Sequence, residues 1–297
     1  MGKGSPTTRR NRRLGLLFTA PWLIGFAIFT IYPFAASIGL SFTQYSVLSP
    51  PKFIGFGNYL DLFNDPLFWT SLYNTFYFSV FSVPLGTIIG VLLALLLNQD
   101  VRGLPIYRTI YYLPSIVPVV ASAIIWMWLL NPYYGIINAI LESVGISGPG
   151  WIADPAWSKP ALIIMSLWGV GNATLIYLAS LQDVPVSLYE SADLDGATAW
   201  HRTRHITIPM ITPTILFNVV MGLINTFQYF TQAYIMTNGG PADSTLFYSL
   251  YLYNNSFRYF KMGYASAQAW LLFVVIMFFT LLLLRSARHW VFYAGES

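Results

Sequence analysis

The chain has no cysteine among its 297 residues. That one absence excludes disulfides, thiolate metal sites and thiol nucleophiles together. Charge is nearly as scarce: 9% of residues are Asp, Glu, Lys or Arg, against roughly 25% in a typical soluble domain. So little charge cannot cover the surface of a soluble protein of this length. Lysine occurs only as Lys3, Lys52, Lys159 and Lys261, and none stands in a G-x-x-x-x-G-K-[ST] phosphate loop. If a nucleotide drives this protein, it binds another chain. No Asp, Glu or Lys falls in the middle of an apolar run, and Arg108 and Arg285 lie at run ends. Ion-coupled carriers use intramembrane ionisable groups, and an intramembrane enzyme needs a buried acid/base pair or a metal cluster. The sequence offers neither. It predicts no catalytic residue, no metal site and no cofactor of its own.

What the chain does have is apolar length: 56% of residues are hydrophobic. Six runs, at about 14–42, 72–98, 106–130, 161–181, 211–236 and 265–284, each reach the roughly 20 residues that cross a bilayer as a helix. The first follows Arg9, Arg10, Arg12 and Arg13. It exceeds the roughly 7–15-residue apolar core of a cleavable signal, so it reads as a retained span. Prolines 21, 33, 84, 114, 118 and 213 predict kinked or tilted helices.

Orientation follows from the basic residues. Eleven of the fifteen (Lys3, Arg9, Arg10, Arg12, Arg13, Arg102, Arg108, Arg202, Arg204, Arg285 and Arg288) fall on one side; Lys52, Lys159, Arg258 and Lys261 fall on the other. Both termini are therefore expected in the cytoplasm. The positive net charge then reflects membrane orientation, and nucleic acid is not an expected partner. The division expected is a basic cytoplasmic N-terminus (1–13), an all-α domain of six transmembrane helices (14–290) and a short cytoplasmic tail (291–297). Trp69, Trp151 and Trp157 in the outer loops are candidate interface anchors.

The one long polar break lies between the fourth and fifth runs, on the cytoplasmic side, at about 185–210. It carries Glu190, Asp193 and Asp195, then His201, Arg202, Arg204 and His205. Ser187 and Glu190 have capping-box spacing, predicting a short helix that Gly196 ends in a left-handed cap. A second short helix is expected over 198–205. A helix–Gly–helix elbow joined to two membrane helices can transmit a push, and small Ala192 and Ala197 admit a close partner. The same residues also fit an amphipathic loop on the headgroups.

The elbow resembles the EAA loop of ABC-importer permeases, whose pattern runs Glu-Ala-Ala, Asp-Gly-Ala, Ile-x-Leu-Pro. Glu190, Ala192, Asp195, Gly196, Ala197, Ile206 and Pro209 match; Ser191, Ile208 and Thr203 depart, the last where sugar permeases often carry phenylalanine. The likeness to carbohydrate permeases of the MalF type extends through Tyr32-Pro33, Phe53-Ile54-Gly55 with Asn58-Tyr59, Tyr112-Leu113-Pro114, Thr237-Asn238-Gly239-Gly240-Pro241 and Met262-Gly263-Tyr264-Ala265. The resemblance implies a type I importer permease fold of the MetI/MalF kind in a bacterial inner membrane. It also implies a second, MalG-like permease, two cytoplasmic ATPase subunits that bind ATP and Mg, and an extracytoplasmic solute-binding protein that delivers sugar. The ATPase would be coupled through Glu190, Ser191, Ala192, Asp195, Gly196, Ala197, Ile206 and Pro209. The rival reading is a self-contained channel or secondary carrier for a small polar solute.

In the fifth run, Asn218, Asn225, Tyr229 and Gln232 share one helical face if the helix is unbroken, with Gln228 beside them. The fourth run offers Ser166, Trp168 and Asn172. Amides and aromatic rings suit sugar hydroxyls and C–H faces, and they equally suit interhelical hydrogen bonding. Both readings stand on the residues. The resemblance favours the pathway and adds Gly222 and Thr226, which fall at or beside family contact positions.

Overall fold

A computed structural model describes residues 6–293, with side chains from Leu14 onward. Lys3, the side chains of the N-terminal arginines and residues 294–297 of the expected tail lie outside the described residues. Three helices are each long and apolar enough to cross a membrane: Leu14–Ser41, Pro66–Leu97 and Met262–Ala287. Three bent pairs bring the number of candidate spans to six. Span three is Leu104–Ile116 followed by Val119–Leu129, bent by 99°. Span four is Pro155–Trp168 followed by Gly171–Gln182, bent by 46°. Span five, Thr212–Met236, follows Ala199–Met210 after a 61° bend.

Spans two and four start earlier than their hydropathy alone predicts, and for the same reason. Asp65 accepts a hydrogen bond from Leu67 N (2.9 Å), and Asp154 accepts one from Ala156 N (2.9 Å). In each case proline follows at the first helical position, where its missing N–H costs nothing. Span three breaks because Pro118 forces Val117 into an extended conformation (φ −65°, ψ 128°). The chain also departs from the expected all-α class by one antiparallel hairpin, Thr43–Ser46 with Ser49–Phe53.

The described chain forms two compact units. The smaller comprises residues up to Asn64 together with Asn254–Leu271. In it Asn58 Nδ2 donates to the carbonyls of Ser41 (2.8 Å) and Thr43 (2.9 Å), tying span one to the hairpin. Gly263 lies against Thr43 so closely that a Cβ would sit 1.9 Å from the Thr43 carbonyl oxygen.

The larger unit holds Asp65–Tyr253 and the chain from Leu272. Buried Asn74 on span two is its outer hub. Its Nδ2 donates to the carbonyls of Asp243 (2.8 Å) and Leu246 (3.2 Å), and its Oδ1 accepts from Lys159 Nζ (2.9 Å). The Lys159 ammonium also lies over the rings of Tyr73 and Tyr77, each centroid 5.3 Å away. Trp151, a candidate interface anchor by sequence, is instead buried, with its Nε1 donating to Asn138 Oδ1 (2.6 Å). Asn138 Nδ2 reaches the carbonyls of Pro132 and Pro149, so the amide fastens a whole outer loop. Trp69 and Trp157 keep exposed faces. Because Asn74→Ala strands the buried Leu246 carbonyl, the part-buried Asp243 carbonyl and a lysine, it should cost about 2 kcal/mol. A thermal melt of the detergent-purified protein should fall by several degrees; an unchanged melt would remove Asn74 as a hub.

Candidate coupling elbow and pathway cavity

The elbow begins two residues earlier than a Ser187–Glu190 capping box requires. Its first helix is Val186–Leu194 with Pro185 at the N-cap, and no side chain caps it. Ser187 lies inside the first turn, where its carbonyl accepts from Ser191 Oγ (2.9 Å). The reason is Pro185: its fixed φ starts the helix and leaves Ser187 in a helical position. The C-terminal end follows expectation. Gly196 takes φ +74°, Ala197 N donates to Ala192 O (2.9 Å) and Gly196 N to Asp193 O (3.1 Å). That pair of bonds is a Schellman cap, and the left-handed residue in it favours glycine.

The second helix is longer than expected. Thr198 caps it by accepting from His201 N (3.3 Å), and Ala199–Arg202 runs on through a π turn at Thr203–Thr207 to Met210. Two contacts lock the helices together. Arg202 Nη1 bridges both carboxylate oxygens of Asp193 (2.6 and 2.9 Å), and the Tyr189 hydroxyl meets Thr207 Oγ1 at 3.0 Å. Between them lies an open cavity of about 400 Å³ whose rim includes Ala192, Asp195, Gly196, Ala197, His205 and Ile206. Glu190 and Ser191 stand exposed, and Glu190 makes no polar contact among the described residues.

Behind the elbow is an apolar core. Val91, Ala94 and Leu97 of span two meet Tyr177, Leu178 and Leu181 of span four around fully buried Ile211, with Ile206 and Ile208 packed on the edge. Pro209 sits just before the bend, where its carbonyl accepts from Thr212 Oγ1 (2.6 Å). Arg108 donates to the terminal carbonyl of Leu97 (3.1 Å), a cation at the negative end of span two.

Within the same unit, a second cavity of about 170 Å³ opens where three spans break. Ser115 and Val117 come from the break in span three, Ser166 and Trp168 from the break in span four, and Tyr229 and Gln232 from an interruption at Gln228–Phe230 in span five. No charged side chain lines it. The interruption also corrects the single polar face expected of span five. Thr212–Phe227 ends before Tyr229, Phe230 takes φ −134°, and Thr231–Met236 resumes in a new phase. Tyr229 and Gln232 consequently reach the cavity, whereas Asn225 and Gln228 are exposed and Asn218 turns back to Thr214 O (3.0 Å). Asn172 is exposed in the first turn after the span-four break.

Gly222 and Thr226 face span two. A Cβ on Gly222 would meet Val83 at 3.4 Å, and the Thr226 hydroxyl donates to Ser79 Oγ (2.8 Å). Both serve interhelical packing in this chain. Ser115 and Ser122, also at the cavity, escaped the sequence reading. Pro114 and Pro118 marked the kink beside them without saying what it encloses.

Tyr229 is the unusual member. The residue is 8% exposed, its ring tilted against Phe78 (4.3 Å between centroids) and edge-on to Phe247 (5.3 Å), and its hydroxyl has no hydrogen-bond partner among the described residues. An unpaired buried hydroxyl is a liability unless something visits it. Tyr229→Phe should leave the melting temperature unchanged or raise it while lowering uptake. A large loss of stability would show that the hydroxyl is structural.

Residues 86–291 match the family described as binding-protein-dependent transport system inner membrane component. Over 99% of its length the chain is 43% identical to the probable ABC transporter permease protein YesP of Bacillus subtilis, covering 96% of that protein. It is 37% identical to the lactose transport system permease protein LacF of Rhizobium radiobacter, with 93% and 94% of the two chains covered. Among solved structures, one chain of a bacterial alginate ABC transporter, crystallised with an alginate pentasaccharide-bound periplasmic protein, superposes with a TM-score of 0.84 at 28% identity. That match covers 95% of this chain and 96% of the other. These matches replace the self-contained channel or carrier, and they lie in a transport family rather than an enzyme family. The chain belongs to the inner-membrane permease family of binding-protein-dependent ABC transporters.

Proposed function

We propose that this chain is one of two permeases in an ATP-driven importer of saccharides, in the oligosaccharide class. The observation that supports it best is the meeting of three broken spans around one uncharged cavity, in the same unit as the elbow. Serine hydroxyls, the Gln232 amide and the Tyr229 hydroxyl supply donors and acceptors for sugar hydroxyls. Trp168 supplies an aromatic face for sugar C–H groups. Helix breaks also expose backbone polar groups, which membrane proteins tolerate where they line a cavity. Relatives whose names give a substrate include the lactose permease, a trehalose/maltose permease at 34% identity and an arabinooligosaccharide permease at 30% identity.

In this reading ATP and Mg bind two cytoplasmic ATPase subunits, and a solute-binding protein presents the sugar on the outer side. Exposed Asn172, Asn225 and Gln228 extend the pathway toward the second, MalG-like permease. Glu190, Ser191 and Asp195 register the elbow on one ATPase. Ala192, Gly196 and Ala197 admit it closely, and Ile206 and Pro209 carry its displacement into span five through Ile211. Coupling of this kind needs a stiff elbow, and the Asp193–Arg202 pair and the Tyr189–Thr207 bond provide the stiffness.

Gly196→Val places a β-branched residue in left-handed backbone, a strain of about 1–2 kcal/mol. The variant complex should still insert and assemble, while sugar-stimulated ATPase activity and uptake fall together by at least tenfold. Glu190→Lys should weaken recovery of the ATPase in a mild-detergent pull-down. Full coupling in both variants would overturn the elbow assignment. Trp168→Ala should cut uptake with assembly intact, and normal uptake would remove the cavity from the pathway.

A further inference from the structure

The loop between spans three and four carries a short amphipathic helix, Ile136–Ser143, whose outward edge nothing among the described residues covers. Ile136, Ile140 and Val144 stand i, i+4 and i+8 apart, so they share one edge. They are 57%, 60% and 67% exposed, and Tyr133 just before them is 94% exposed. A second edge is also exposed and carries the one charge, with Ala139 and Glu142 three residues apart, while Ser143 borders the apolar edge. The third is pinned to the protein through buried Asn138 and its bonds to Trp151, Pro132 and Pro149.

The pinning is tight. A Cβ on Gly135 would sit 2.3 Å from Asn131 O, and one on Gly148 would sit 2.1 Å from Asn138 Oδ1. Asn131 Oδ1 further accepts from Tyr133 N (2.9 Å). A three-sided helix of this kind, held rigidly with a bare apolar edge, is built to present that edge to something.

We infer that Ile136, Ile140 and Val144, with Tyr133, form a foot that rests in the outer-leaflet interface of the membrane. Three observations select lipid as the occupant. Ile124, Ile125 and Trp128 in the last turns of span three, a few residues before the foot, are exposed apolar side chains as well. Glu142 is the only charged residue between Asn131 and Ala153, so the surface has none of the charge pattern that steers a protein partner. A tyrosine beside an aliphatic stripe matches the chemistry of the headgroup boundary. The foot holds the outer halves of spans three and four at a fixed depth. Both halves end at the pathway cavity, so the inner halves become the parts free to swing. The outer leaflet, as opposed to either leaflet, takes its side from the orientation proposed above.

The absence of cysteine makes the test direct. Ile136→Cys, Ile140→Cys, Val144→Cys and Glu142→Cys are each spin-labelled in the complex purified from native membrane and placed in lipid nanodiscs. The unsubstituted complex supplies the baseline for labels on other subunits. Collision with oxygen, which concentrates in lipid, is compared with collision with Ni-EDDA, which stays in water. The inference expects oxygen to exceed Ni-EDDA at 136, 140 and 144, and the ratio to reverse at 142. Ni-EDDA dominating at all four positions would overturn it. So would exclusion of both reagents at the three apolar sites, which would put a protein subunit on the face. Nanodiscs leave both leaflets open, so the ratios do not depend on orientation, whereas ATPase recovery in the same preparation reports separately on the importer reading.

Discussion

Ile211 has no exposed surface and sits where the chain turns 61° from the elbow into span five. Span two and span four close over it from either side. An interior packed to crystal-like density shifts between discrete arrangements rather than deforming smoothly. In the proposed coupling, displacement of the elbow is therefore passed to the spans instead of being absorbed at the joint. The rest of the functional account depends on this packing. Without it the Gly196 cap, the Asp193–Arg202 clamp and the Tyr189–Thr207 bond would stiffen an appendage. With it they stiffen a lever.

The other end of the lever is set by a constraint of the bilayer. Hydrocarbon leaves no partner for an unpaired backbone group, so a span that breaks must break against protein or against a cavity. Three spans of this chain break at one place, and the cavity there is uncharged and lined by hydroxyl, amide and aromatic groups. Such a site can exchange many weak hydrogen bonds with a polyol without the desolvation penalty of a buried ion. Elsewhere these spans pack closely, as where Gly90 lies against Tyr177.

How much of this was legible in the sequence differs by element. The spans were, because apolar length is a strong signal and because Arg and Lys asymmetry fixes a side. The elbow was too: Gly196 before Ala197 marks a left-handed cap wherever a short helix ends. Other features differ from the sequence pattern, some through neighbouring residues and some through tertiary context. Ser187 and Glu190 have capping-box spacing, but Pro185 claims the cap. Asn218, Asn225, Tyr229 and Gln232 lie on one face of an ideal helix, and the interruption at 228–230 divides them. Trp151 looks like an interface anchor and is instead buried on Asn138. Gly222 and Thr226 came through family likeness and pack against span two. Local pattern identifies the residue types, while a nearby proline or helix break, or a partner as far away as Ser79 is from Thr226, decides which way they face.

Alternating access at the cavity, driven from the elbow, is the central claim. Its most direct test is the side from which the cavity can be reached. With no native cysteine in this chain and the unsubstituted complex as baseline, Ser166→Cys in the reconstituted complex can be probed with membrane-impermeant maleimide from one face of the membrane at a time. The account predicts that the reactive face changes when ATP and vanadate trap the ATPases closed, and that Gly196→Val abolishes the change. Reactivity from the same face in both states, in a complex that still transports sugar, would contradict it.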